Sequence, residues 1–179
     1  MRAVVIYESM YGNTHEIANA IARGLGPGTE VAVVCVAEAV PELLAGAGLV
    51  VAGGPTHLHG MSGARSRRAA ADEARKDGSK LTLDAHAEGP GLRDWFGTIG
   101  RIRGWGAAFD TRLAGPAALT GRASKAIARL LKRHGLAEIA PPQSFLVTKD
   151  NRLRPGEEDR AEQWGRELAA RLPAVAASP

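Results

Sequence analysis

Short apolar, β-branched runs alternate along this chain with segments whose apolar residues recur every three or four positions. That is the pattern of strands and helices taken in turn. The run from Arg2 to Tyr7 reads as a buried parallel strand, and Ile17, Ile21 and Leu25 mark an amphipathic helix behind it. A second strand is predicted over Glu30 to Val36, a short helical piece over Val40 to Ala45, and a third strand over Gly48 to Gly53. A charged helix over Ala64 to Lys76 and a segment over Leu92 to Ile99 precede a short fourth strand near Gly106 to Phe109. The pattern then predicts a helix from Gly121 to His134, closed by Gly135, and a fifth strand over Gln143 to Thr148 after the Pro141-Pro142 break. A last helix starts near Gly156, where Glu157, Glu158 and Asp159 complement its dipole. Ala161, Trp164, Leu168 and Leu172 form its buried stripe, and Pro173 stops it.

Such alternation argues for a parallel sheet covered on both faces, a three-layer α/β sandwich. Five strands suit the order 2-1-3-4-5, in which ligands bind at the carboxyl ends of the strands near the switch point between strands one and three. The loops at 9–14, 54–61 and 110–116 would converge there. The expected organisation is one domain over 1–172, with an extended segment at about 62–104 and a loose tail over 173–179. The extended segment is expected to be a packed surface elaboration.

Composition narrows the function. At 179 residues and 45% hydrophobic content, the chain can bury a core without staples. Its longest apolar stretch, around Leu49 to Ala52, is too short for a bilayer, and no basic-then-apolar leader is seen; a cytoplasmic address is expected. Cys35 is the sole cysteine, excluding an internal disulfide, and its place in the second strand suits a buried hydrophobe. Net charge of +4 is too modest to argue for nucleic acid, and aromatics at 4% are needed by the core before any base-stacking platform. Arg122, Lys125, Arg129, Lys132 and Arg133 read as a solvated face opposite Ile127, Leu130 and Leu131; docking an acidic partner is the alternative. His57 and His59 have no third ligand at recognisable spacing, so no metal is expected.

Residues Ser9 to Thr14, Ser-Met-Tyr-Gly-Asn-Thr, carry the candidate chemistry. A polar loop between a strand's carboxyl end and a helix's amino end offers free N–H groups and a positive dipole to an anion. Ser9 and Thr14 add hydroxyls, Gly12 permits close approach, and Asn13 with Glu16 fits a capping box. The expected ligand carries a phosphate.

This loop resembles the phosphate-binding loop of the flavodoxin-like family, Thr/Ser-x-Thr-Gly-Asn-Thr: Ser9, Gly12, Asn13 and Thr14 match, with Tyr11 in place of the middle hydroxyl residue. Gly53-Gly54-Pro55-Thr56 after the third strand and Phe109-Asp110-Thr111 after the fourth extend the likeness. The resemblance implies FMN as cofactor, its phosphate in Ser9, Met10, Tyr11, Gly12, Asn13 and Thr14. It also implies that Gly53 and Gly54 admit the flavin closely, and that Pro55 and Thr56 meet its polar edge. His57, Leu58 and Gly60 would line one face, and Phe109, Asp110, Thr111 and Arg112 would bring the last loop to the pyrimidine edge. Arg112 or a protonated His57 near the ring would make the cofactor less reducing than a typical flavodoxin's. The implied function is electron carriage between redox partner proteins. Two alternatives stay open: an FMN-dependent NAD(P)H:quinone-type reductase, and a flavin-free binding module on the same fold.

Overall fold

The computed structural model describes residues 1–57 and 59–173. Leu58 and the last six positions of the expected tail lie outside the described residues. The elements are β1 (Arg2–Tyr7), α1 (Asn13–Leu25), β2 (Glu30–Cys35), α2 (Pro41–Leu44), β3 (Leu49–His57), β4 (Gly60–Met61) and α3 (Ala64–Ala74). They continue with α4 (Leu92–Thr98), β5 (Trp105–Leu113), α5 (Ala117–Thr120), α6 (Ala123–Arg133), β6 (Ala137–Glu138), β7 (Gln143–Val147) and α7 (Glu157–Arg171).

The main sheet is parallel, running β2-β1-β3-β5-β7. This is the doubly wound order expected, with two short strands added. β6 pairs with the start of β5 while β7 pairs with its end, and β4 folds back antiparallel on the end of β3. Alternate residues of β1 feed opposite cores, as the pleat requires. Val5 and Tyr7 join Ile17, Ile21, Phe109, Phe145, Trp164 and Leu168 beneath α1 and α7. Val4 and Ile6 join Leu92, Trp95, Phe96, Ile127 and Leu131 beneath α4 and α6.

Three boundaries differ from expectation. β3 and β5 run on to His57 and Leu113, so Gly54–His57 and Asp110–Leu113 are strand rather than loop. Polar side chains end an apolar pattern on paper, yet here the backbone ladder continues, because Phe109 through Leu113 find β7 as a partner. α6 starts at Ala123, two residues late, since Gly121 turns in the left-handed region. The capping box at Asn13 and Glu16 does not form: Gly12 is the N-cap, and the Glu16 N–H donates to its carbonyl at 3.0 Å.

Close backbone approach fixes the layer that carries the first loop. α1 crosses α7 at Gly24 and Gly165, and a Cβ on either would overlap the other helix's backbone. Gly53 serves the core in the same way. The space of its missing side chain is filled by the Phe109 ring, and that of Gly54 by Leu92. These two glycines admit packing neighbours, not a ligand, which corrects the role expected of them.

Candidate functional site

The carboxyl ends of β1, β3, β5 and β7 surround a cleft of about 270 Å³. One wall is the first loop. Its Asn13 and Thr14 amides precede the first intrahelical bond of α1, so no helix carbonyl accepts from them. Gly12, at φ 92°, takes a conformation that other residues adopt only with strain.

Long-range hydrogen bonds hold this loop from three directions. The Thr14 and Thr111 hydroxyls meet at 2.7 Å, tying it to β5. The Asn13 side-chain amide donates to the Asn151 carbonyl at 3.0 Å, tying it to the loop after β7. The Tyr11 hydroxyl donates to the Ala70 carbonyl of α3 at 2.8 Å, and the Asp84 N–H donates to the Met10 carbonyl at 2.9 Å. Ser9 is spent inside the loop, where its Oγ accepts from the Gly12 N–H at 3.1 Å.

Of the residues named from sequence, the structure brings Met10, Tyr11, Asn13, Thr14, Pro55, Thr56, His57, Thr111 and Arg112 to the cleft. Others lie elsewhere. Phe109 and Asp110 are fully buried beneath it, Phe109 edge-on to Phe145. The Asp110 Oδ2 accepts from the Ser124 N–H at 2.7 Å, so this carboxylate caps α6 rather than lining the cleft. Gly60 pairs with His57 in the β3–β4 hairpin. Thr56 lines the cleft, and its oxygen also accepts from the Ala123 N–H at 3.0 Å, leaving its own hydrogen to donate.

Sequence reasoning missed Leu81, Leu113, Val147, Thr148, Lys149 and Asn151. Val147 ends β7 and the last three follow it; the carboxyl end of that strand opens at the site by topology alone, and that signal was available. Leu81 sits in the connection between α3 and α4 and carried none.

No carboxylate lines this cleft among the described residues, whereas Arg112 and Lys149 both do. The Arg112 Nη1 is fixed by the Leu113 and Gly115 carbonyls, at 3.2 and 2.9 Å, and by the Thr120 hydroxyl at 2.7 Å. Its Nε is buried without an acceptor. His57 is not a second cation. Burial pushes its imidazole below the ordinary histidine value, Glu8 opposes this and Arg67 adds to it, and Ser66 Oγ lies 3.3 Å from its Nδ1. The expectation of a protonated His57 is therefore corrected.

Behind His57 a polar knot, buried at Glu8, Ser62 and Arg67 and exposed at Arg93 and Asp94, anchors the hairpin and the α3–α4 segment. Glu8 accepts from the Ser62 hydroxyl and, at 2.8 Å, from the Leu92 N–H. Arg67 pairs with Asp94 at 2.7 Å, and Arg93 donates to the Ser62 and Met61 carbonyls at 2.7 and 3.0 Å.

Fold and cleft together define a doubly wound α/β protein with a polar first loop at its switch point. The family model described as Flavodoxin matches residues 5–91. Over that stretch the sequence is similar to the flavodoxin family, and the fold is flavodoxin-like throughout. A flavodoxin from the domain Archaea superposes with a TM-score of 0.62 at 20% identity, covering 96% of this chain and 99% of that one. Oxidised Flavodoxin 1 from Bacillus cereus gives 0.63 at 18% identity, over 97% and 100% of the two chains. The flavodoxin of Streptococcus pneumoniae TIGR4 gives 0.63 at 17% identity, over 95% and 99%. At these identities the likeness is one of fold. No curated protein matches the sequence. No helix among the described residues is long and apolar enough to cross a membrane.

Proposed function

We propose that the cleft binds FMN and that the chain carries electrons between redox partner proteins, as flavodoxins do. The observation that carries this reading is the lining of the cleft. Unserved helix amides, hydroxyls and two cations face it without a carboxylate, and apolar Met10, Tyr11, Pro55, Leu81 and Val147 flank them. Such a set suits a ligand that is a phosphate at one end and a flat apolar ring at the other. When bound, FMN supplies reversible one- and two-electron chemistry.

The chain's own residues supply the rest. Asn13 and Thr14 amides receive the phosphate, with Thr14 positioned by Thr111. Lys149 adds charge at the mouth, and the Thr56 hydroxyl has a hydrogen to donate at the floor. Arg112, held by three acceptors, is a fixed cation that favours a more negative ring.

Electron routing separates a carrier from a quinone reductase. FMN-loaded protein is expected to accept electrons from NAD(P)H only when a separate flavoprotein reductase is added. Steady NAD(P)H oxidation by the loaded protein with a quinone alone would overturn the carrier reading and establish the reductase.

A further inference from the structure

We propose a second site, outside the cleft, in which Cys35, Glu38 and His86 bind a thiophilic divalent cation of the zinc class. The Cys35 sulfur, a Glu38 carboxylate oxygen and a His86 ring nitrogen all lie within 4.8 Å of one another. Zinc bonds of roughly 2.0–2.3 Å in a tetrahedron place ligand atoms about 3.3–3.8 Å apart. Glu38 and His86 are both exposed, so closing that difference calls for rotation of surface side chains and not for a backbone shift.

The chain builds this triad from distant parts. Cys35 ends β2 opposite Tyr7 of β1, and the 3-10 turn Val36–Glu38 brings Glu38 back over it. His86 arrives from the connection between α3 and α4, which is why spacing in the sequence does not reveal the set.

A second observation beside the triad geometry points to an ion. A small cavity of about 10 Å³ is lined by both Cys35 and His86, close to the volume that one water or ion occupies. Charge also balances: thiolate and carboxylate neutralise a dication, with imidazole as the neutral third ligand. Sulfur and nitrogen donors select zinc-class ions over magnesium or calcium. Cys35 is only 2% exposed, so it forms the base of a site whose mouth faces solvent, with water as fourth ligand. On binding, the metal replaces the thiol proton, which passes to buffer.

The test uses the tag-free full chain titrated with Co²⁺ and then Zn²⁺. The expected result is one Co²⁺ per chain with a sulfur-to-metal charge-transfer absorption, displaced by one equivalent of Zn²⁺. Cys35→Ser should abolish the absorption. His86→Gln and Glu38→Gln alter exposed residues and should leave the fold intact, so they decide the matter even if Cys35→Ser does not fold. Each should weaken binding by at least about 10-fold, the lower end of what even outer-shell partners contribute. Absence of saturable binding, binding without the thiolate absorption, or wild-type affinity in both exposed variants would each overturn the site.

Discussion

Thr14 and Thr111 meet hydroxyl to hydroxyl at 2.7 Å, both buried, one in the first turn of α1 and the other near the carboxyl end of β5. Thr111→Val removes that partner and frees Thr14 to turn from the ligand. FMN affinity should fall roughly 3- to 10-fold, the worth of about one neutral hydrogen bond, while riboflavin affinity is little changed. Equal loss for both flavins would show that the pair only shapes the fold. Asp110 makes the opposite case. Its carboxylate serves the Ser124 amide in the core, so Asp110→Ala should cost about 1–3 kcal/mol in a urea titration, by orphaning that donor. FMN affinity of the folded fraction should stay within about 2-fold. Arg112→Ala should make the bound cofactor more reducing, with each kcal/mol of lost stabilisation worth about 40 mV for one electron. Unmoved potentials would remove Arg112 from the account. Thr14 and Thr111 were legible in the sequence because motifs mark them, and Arg112 because it follows the second. That Ser9 turns inward to Gly12, and Asp110 downward to α6, was not, because both outcomes depend on partners far along the chain.

Strands and helices follow from periodicity almost everywhere, and the two strand boundaries that differ have one physical origin. β3 and β5 outlast their apolar patterns because neighbours on both sides continue their hydrogen-bond ladders past Gly53 and Phe109. The helix pair α1 and α7 tests the packing most simply. Gly165→Ala places a methyl group against the Ile21 carbonyl, and such overpacking should cost about 1–3 kcal/mol, or roughly 2–12 °C of Tm in a chain of this size. An unchanged Tm would mean that the crossing can open without penalty. The hairpin and α3–α4 segment carry a pH signature. Burial depresses the His57 pKa, so below about pH 6.5 the unfolded chain takes up more protons than the native one. Stability at this group is therefore held above that pH and declines as pH falls towards the depressed native value. The Asp94 carboxyl is also held low, first by the Gly91 N–H and then by Arg67. Its contribution persists above the unfolded carboxylate value, near 3.9, and disappears as pH falls through the native one. His57→Gln should flatten the upper part of the stability–pH curve and leave the lower part in place. A curve unchanged by that substitution would show His57 to be solvated.

At the scale of the whole molecule, topology does what no single motif could. The order β2-β1-β3-β5-β7 brings four carboxyl ends to one place, so the first loop, Thr111 and Arg112 of β5, and Lys149 with Asn151 share a cleft. α3, through Ala70, and the connection from α3 to α4, through Asp84, then clasp that loop. The central claim is that this cleft receives a flavin by its phosphate. Titration of the cofactor-stripped chain with FMN, and in parallel with riboflavin, followed by flavin fluorescence, tests it most directly. The account expects saturable 1:1 binding of FMN at least about 10-fold tighter than riboflavin, the effect of one charge-assisted hydrogen bond. Equal affinity for the two flavins, or no binding of either, would contradict it.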